Sequence, residues 1–271
     1  ALAWAQLSLT LSAEVGNNLV AADTVSGEMR ATAARALALD PSLPEAHGAL
    51  GRIYEVLDWN FEAALKEYRK RYELDPTASA NIIPLARLLY VLRGDTEEVR
   101  SLFSRAADLD PTNPGLYDWL GFYFQYTGKL EDAEKSYRKM LDLRPGHGAV
   151  SLGVLLLARG QKENALAVIQ RDPDEEGRLL GLAIVYDAMG RKAEGDAALA
   201  DYERQYGAEE PSTVAEIYSY RRELDKAFYW LDRAYAQRES GMRFINRDPH
   251  LANLRGDPRF AALLRKLNLP L

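Results

Sequence analysis

The sequence predicts an all-α fold, a solenoid of about seven helical hairpins with a short helical cap, and three observations predict it. Pro41, Pro76, Pro111 and Pro145 recur at intervals of 35, 35 and 34 residues. Three of them close the same phrase, Leu39-Asp40-Pro41, Leu74-Asp75-Pro76 and Leu109-Asp110-Pro111, and Leu143-Arg144-Pro145 closes it with one change. Between these prolines, apolar residues fall at helical spacing on both sides of a turn. A fixed period near 34 residues marks units too small to bury their own apolar faces, which must stack on their neighbours.

The fourth unit shows the pattern most clearly. Pro114 to Phe124 reads as a helix, Thr127-Gly128-Lys129 as a tight turn, and Leu130 to Leu143 as a second helix. Gly121 and Ala133 are small where the two helices would cross, so the backbones approach, and Leu120, Phe124 and Tyr137 fill the space around them. Proline after the second helix blocks its continuation and pushes the residue before it out of the α region.

The other units repeat the arrangement. Trp4, Leu7, Ser8 and Leu11, then Ala33, Ala36 and Pro41, make the first. Leu50, Gly51, Tyr54, Ala64, Tyr68 and Pro76 make the second, and Leu85, Ala86, Leu89, Gly94, Val99, Phe103, Ala106 and Pro111 the third. Shorter copies follow around Gly153, Ala165 and Ile169, around Ala183, Tyr186 and Leu199, and around Ala215, Tyr218, Ala227 and Leu231. The first hairpin carries extra residues around Gly16-Asn17-Asn18, as a loop or a helix extension. Arg71 stands where other units have alanine, which predicts a local loosening or a stem that reaches solvent. Pro84 is expected in the first turn of a helix.

These residues resemble the tetratricopeptide repeat, whose pattern is W-x2-L-G-x2-Y, then A-x3-F, then P. The resemblance covers about residues 1–236 and implies a right-handed superhelix, here taken as a single domain over residues 1–271 with a cap over about 237–271. In the cap, Asp248-Pro249 and Asp257-Pro258 each supply an N-cap with proline behind it, so two short helices should start there. Phe260, Leu263, Leu264 and Leu267 form one apolar face, expected to cover the open end of the seventh hairpin. The run from Asp248 to Pro270 is similar to the close of long tetratricopeptide regions in bacterial multidomain signalling proteins. There such regions follow a class III adenylate or guanylate cyclase, a winged-helix domain or a kinase. The resemblance implies a sensory or docking half whose output domain lies elsewhere.

Composition narrows the classes of function. The net charge of −6 argues against direct nucleic-acid binding, which needs clustered Lys and Arg. The charge is uneven: residues 221–271 hold 11 Lys and Arg against 6 Asp and Glu, which reads as a solvated end cap or as a docking face for an acidic neighbour. There is no cysteine, which removes disulfides and thiolate sites and fits a cytoplasmic setting. The longest apolar run, Val150 to Ala158, is far short of a membrane span, so no membrane association is expected. Ala1 falls inside a helical pattern, Trp4, Leu7 and Leu11, so the sequence is expected to begin partway through a longer protein.

Signals of chemistry are weak. His47, His147 and His250 are far apart, none pairs with another at i, i+4, and no HExxH motif exists. They read as a helix-start, a loop and a cap residue. Gly146-His147-Gly148 reads as an inter-repeat turn. Carboxylates have the spacing of solvated helix faces, with partners such as Glu62–Lys66 and Glu131–Lys135. No catalytic residue, cofactor or metal is therefore expected, and the chain is read as non-catalytic.

Recognition is the better-supported class. In a superhelix the first helices line a concave face that binds a peptide at little ordering cost. Residues there that packing does not need are Arg52, Arg87, Tyr90, Phe122, Gln125 and Tyr126, with Glu216 and Tyr220 in the seventh unit. Arg and aromatic side chains are frequent interface anchors, and each of these equally fits the inter-repeat core. Some tetratricopeptide proteins grip a C-terminal carboxylate with Lys and Asn on successive first helices. The matching positions here, Gly48/Arg52, Ile83/Arg87 and Asp118/Phe122, do not support that clamp. The expected partner is a protein or peptide, or an N-terminal output domain of the same polypeptide. The alternative is a ligand sensor that alters the superhelix pitch and so controls that output domain.

Overall fold

The computed structural model describes residues 1–17, 19–146 and 148–271. Asn18, in the expected insertion of the first hairpin, and His147, in the Gly146–Gly148 turn, lie outside the described residues. Among the described residues there is no strand. Within the described residues fourteen helices form seven consecutive hairpins, followed by two 3₁₀ segments and a short helix. The α-α solenoid class read from the sequence is what the chain adopts. No helix is long and apolar enough to cross a membrane.

Contacts divide the chain into two compact units, Ala1–Pro111 with Leu263–Leu271, and Thr112–Ala262. The first contains α1 (Leu2–Gly16), α2 (Ala22–Leu39), α3 (Pro44–Val56), α4 (Phe61–Leu74), α5 (Ser79–Arg93) and α6 (Glu97–Leu109). The second contains α7 (Pro114–Tyr126), α8 (Leu130–Leu143), α9 (Ala149–Ala158), α10 (Lys162–Gln170), α11 (Glu175–Ala188), α12 (Lys192–Gln205), α13 (Pro211–Tyr220) and α14 (Leu224–Ala236). The 3₁₀ segments Ser240–Arg243 and Pro249–Leu254 follow, and α15 (Pro258–Lys266) begins in this unit. Within each unit every helix packs on the next, the nearest-neighbour stacking of a solenoid.

The repeated residues act as their spacing predicts. A Cβ on Gly51 would lie 2.6 Å from the Tyr68 ring, and one on Gly121 2.3 Å from the Tyr137 ring. The tyrosine of the second helix thus lies against bare backbone of the first, which only glycine allows. Asp40, Asp75 and Asp110 end α2, α4 and α6 with φ of −150°, −144° and −142°, extended as the following proline requires. The Asp40 and Asp75 carboxylates then accept the backbone N–H of Ser42 and Thr77 at 2.9 and 3.0 Å, closing the turn into the next hairpin.

Several local expectations change. Most of the extra length of the first hairpin is helix extension: α1 has 15 residues and α2 has 18, against 13 and 14 in α7 and α8. Pro84 sits inside α5 rather than in its first turn, so one intrahelical hydrogen bond is missing there. Arg71 neither loosens its unit nor reaches for solvent. It lies over Gly48, whose missing side chain makes room for it, and its Nε donates to Asn81 Oδ1 at 2.7 Å, pinning α4 to α5. Burial lowers its pKa accordingly. Glu62 pairs with Arg93 across two hairpins, and Lys135 with Asp132, in place of the i, i+4 partners that spacing suggested.

In the cap both aspartates serve as N-caps: Asp248 Oδ1 accepts from His250 N at 2.7 Å, and Asp257 Oδ1 from Arg259 N at 2.9 Å. The first cap helix is 3₁₀ rather than α. Phe260, Leu263, Leu264 and Leu267 are all buried. The start of α15 seats on the seventh hairpin through Arg259, which pairs with Asp225 and stacks on Phe228 of α14. From Leu263 onward the chain belongs to the first unit.

Candidate functional site

The first helices of the second unit, α7, α9, α11 and α13, pack side by side in order. At the usual 8–10 Å between packed helices, α7 and α13 in a flat row would stand about 27 Å apart. The 3₁₀ segment Pro249–Leu254, about 12 Å long at 2 Å per residue, nevertheless packs on both. The row is therefore curved, and the chain's own C-terminal segment lies in its hollow.

Side-chain contacts with α7 and α13 hold that segment. Phe244 meets Trp119 of α7 edge to face at 5.1 Å. Arg247 Nη1 donates to the Tyr126 hydroxyl at 3.2 Å, and the Arg255 guanidinium lies 4.7 Å from the centre of the same ring. His250 Nδ1 is hydrogen-bonded to Glu216 Oε2 of α13 at 2.8 Å, with the Tyr220 ring 5.6 Å away. Asn253 Nδ2 donates to Ser219 O at 2.8 Å. A run of alternating aromatic, cationic and amide side chains is thus read by residues of α7 and α13.

The six groove residues fall in different surroundings. Tyr126 is met by the C-terminal segment, Phe122 lies edge-on to Trp119 at 5.5 Å, and Gln125 Oε1 accepts from the Tyr137 hydroxyl at 3.1 Å. All three belong to the second unit. Arg52, Arg87 and Tyr90 belong to the first. There Tyr90 is fully buried, and Arg87 Nη2 donates to both oxygens of Glu55 at 2.6 Å. The Tyr68 hydroxyl donates to Glu55 Oε2 at 2.5 Å. Arg52 Nη2 reaches Ser12 O at 3.2 Å and its Nη1 stands 3.8 Å from Glu55. Arg52 and Arg87 are therefore part of a buried charge network centred on Glu55, and Tyr90 belongs to the core.

Glu216 and Tyr220 of α13 come together with two residues that were not read as site residues, Asp248 and His250. Their side chains are 13–18% exposed for Glu216, Asp248 and His250. Burial opposes the charged form of His250, yet Asp248, Glu216 and Asp118 outweigh it and raise its pKa to about 9. Burial, reinforced by Asp248, pushes the Glu216 carboxyl up to about 8. Tyr220 is raised by burial and by the same two carboxylates. The signal in the sequence was the Asp-Pro cap at 248, which placed His250 at the start of a helix; nothing local joined it to Glu216, 34 residues earlier. His47 is a brace in the first unit, hydrogen-bonded to Glu67 at 2.7 Å and to Pro41 O at 3.0 Å.

Stacked hairpins with glycine at the helix crossings and a face of first helices that receives an extended segment define a helical-repeat protein. Residues 114–147, the fourth hairpin, match the family model described as "Tetratricopeptide repeat". It is similar to the human RANBP2-like and GRIP domain-containing protein 8, 31% identical over 128 residues. That stretch is 44% of this chain and 7% of the relative, so this chain spans a small part of the curated relatives it matches. Among solved structures it is similar to the APC/C hetero-tetramer Cut9-Hcn1, with a TM-score of 0.60 at 15% identity over 89% of this chain and 46% of that one. It is also similar to pilF of Pseudomonas aeruginosa, with a TM-score of 0.56 at 21% identity over 75% of this chain and 90% of that one. At these identities the likeness is one of fold.

Proposed function

We propose that this protein is a non-catalytic scaffold that binds a peptide segment of a protein partner or an adjacent domain on the face of its first helices. The observation that carries this reading is the seating of residues 244–255 on α7 and α13, which supports the face as one that accepts a short segment through side-chain contacts. Such recognition is the general use of the tetratricopeptide fold. The finer reading, the regulatory part of a cytoplasmic bacterial signalling protein, rests on the resemblance of the Asp248–Pro270 run and belongs to the same proposal. So does the reading of residues 1–271 as one array: calorimetry should show a single cooperative transition, and two resolved transitions would replace it with two domains.

The test is a peptide-array screen of the full chain followed by titration of the best sequences against Phe122→Ala and Tyr126→Ala. The expected result is a set of peptides whose affinity falls about tenfold or more in at least one variant, consistent with loss of an interface anchor. No binder on the array, or binders indifferent to both substitutions, would remove the assignment to this face. The regulatory reading is tested by the coding region upstream of Ala1 and, if it encodes an output domain, by that domain's activity with and without residues 1–271.

A further inference from the structure

Where α13 meets the C-terminal segment, the side chains of three residues converge: Glu216, Asp248 and His250. One donor atom from each lies within 4.8 Å of the other two. Glu216 Oε2 stands 2.8 Å and Asp248 Oδ1 3.9 Å from His250 Nδ1. Nitrogen and oxygen ligands about 2.0–2.2 Å from a tetrahedral ion are about 3.3–3.6 Å apart, so these spacings bracket what such an ion demands, and small side-chain rotations bring them into line. The donors come from two different elements. Asp248 is fixed because its carboxylate caps the 3₁₀ segment, and Glu216 because α13 packs against that segment.

Charge points the same way. Glu216 and Asp248 both present a carboxylate to the same imidazole nitrogen. Arg255, in the same segment, donates to the main-chain oxygen of Asp248, at 2.7 Å, and not to its carboxylate. Two carboxylates thus converge on a single imidazole. In the corresponding network of the first unit one carboxylate, Glu55, meets two guanidinium groups, those of Arg87 and Arg52. Two converging carboxylates repel one another unless a proton or a cation lies between them.

We propose that Glu216 Oε2, Asp248 Oδ1 and His250 Nδ1 form a binding site for a divalent transition-metal cation of the zinc or manganese class. One imidazole with two carboxylates suits these ions; calcium and magnesium prefer an all-oxygen shell. Three protein ligands leave a coordination position for water or a partner's side chain. Since Glu216 sits on α13 and the other two ligands on the C-terminal segment, the ion ties that segment to the face it covers. Tyr220 borders the site and orients the imidazole by packing.

The test uses the full chain, stripped with chelator and dialysed, then titrated separately with zinc chloride and manganese chloride by calorimetry, with bound metal counted after dialysis. The expected result is about one equivalent bound and a rise in the melting temperature with the favoured ion. Glu216→Gln and His250→Gln should each weaken binding by at least tenfold. Asp225→Asn, on the outer face of α14, should leave it unchanged. Less than a tenth of an equivalent bound, or full binding retained in both ligand variants, overturns the site. Circular dichroism of each variant reports folding; if Glu216→Gln does not fold, His250→Gln alone decides between the outcomes.

Discussion

The two units place charged groups in the interior of the same repeat architecture and treat them in opposite ways. In the first, one buried carboxylate, Glu55, is surrounded by donors: two bonds from Arg87, one from the Tyr68 hydroxyl, and Arg52 just beyond. In the second, carboxylates predominate, with Glu216 and Asp248 beside His250, and Glu176 and Glu210 beside Tyr202. A closed network of satisfied donors fixes how neighbouring hairpins register, whereas an acidic surplus leaves the second unit responsive to protons and cations. Position in the repeat does not decide between the two outcomes. Arg87 and Phe122 occupy equivalent positions on successive first helices, yet one is locked to Glu55 and the other lies against Trp119.

The largest effect expected from breaking this contrast is in the first network. Arg87→Ala removes both bonds to the Glu55 carboxylate while leaving Glu55 fully buried. Truncating one partner of such a pair typically costs about 3–5 kcal/mol, and the remaining Tyr68 and Arg52 contacts place this case near the lower figure. Urea denaturation should show a midpoint far below that of the intact chain. The sequence alone placed Arg87 on a binding face, where alanine would weaken capture and leave stability alone; a stability change under about 1 kcal/mol would return it to that role.

Next is the crossing of the paired helices. Gly51→Ala places a Cβ 2.6 Å from the Tyr68 ring, which cannot retreat without pulling its hydroxyl from Glu55. Gly153→Ala in the second unit meets the δ-methyl end of Ile169 at 2.5 Å, an aliphatic end with no hydrogen bond to lose. Overpacking costs about 1–3 kcal/mol, so Gly51→Ala is expected near the top of that range and Gly153→Ala near the bottom. Equal losses in the two variants would show that the ring's bond to Glu55 adds nothing.

How much of this was legible follows from the range of each interaction. The seven hairpins, the glycine facing a large second-helix residue and the Asp-Pro ends were readable because each depends on residues within one period of 34 or 35. Arg71 was harder: its partner, Gly48, looks like an ordinary small residue until the two are seen together. The seating of Phe244 on Trp119, 125 residues earlier, was not readable at all. It depends on the sum of small rotations over three hairpins, which no local pattern encodes. His250 looked isolated for the same reason.

Changing pH sharpens the contrast more gently. Burial raises the Glu239 carboxyl to about 7, with Glu210 adding to it and its bonds to Ser212 opposing, and burial and Glu210 raise Glu176 to about 7. A carboxyl whose folded pKa lies above its ordinary value contributes stability below that ordinary value, near 4.5, and loses it as pH rises through 7. The first unit's Asp40 and Asp75 are instead lowered by their hydroxyl and backbone bonds, so their contribution is complete before pH 5. Between pH 5 and 8, hydrogen exchange corrected for its intrinsic pH dependence should show loss of protection in α11–α14 and little change in α3–α6. Glu239→Gln, which keeps an acceptor and a shape for Ser212, should reduce the loss. Equal loss in both units would mean that the acidic surplus has no energetic consequence.

The smallest effect is expected where the contacts are most numerous. Arg259 pairs with Asp225 and Asp257, each at 2.8 Å, and stacks 4.1 Å from the Phe228 ring centre, so by inventory it rivals Arg87. Its side chain is 47% exposed, however, against 10% for Arg87, and Asp225 is 93% exposed. Water already solvates these charges in the unfolded chain and nearly as well in the folded one, so pairing gains little. Arg259→Ala should shift the urea midpoint least of these variants, mainly through lost stacking on Phe228, and the part due to the ion pairs should vanish in 1 M salt. A loss comparable to that of Arg87→Ala would mean that the start of α15 is held by charge rather than by the burial of Phe260.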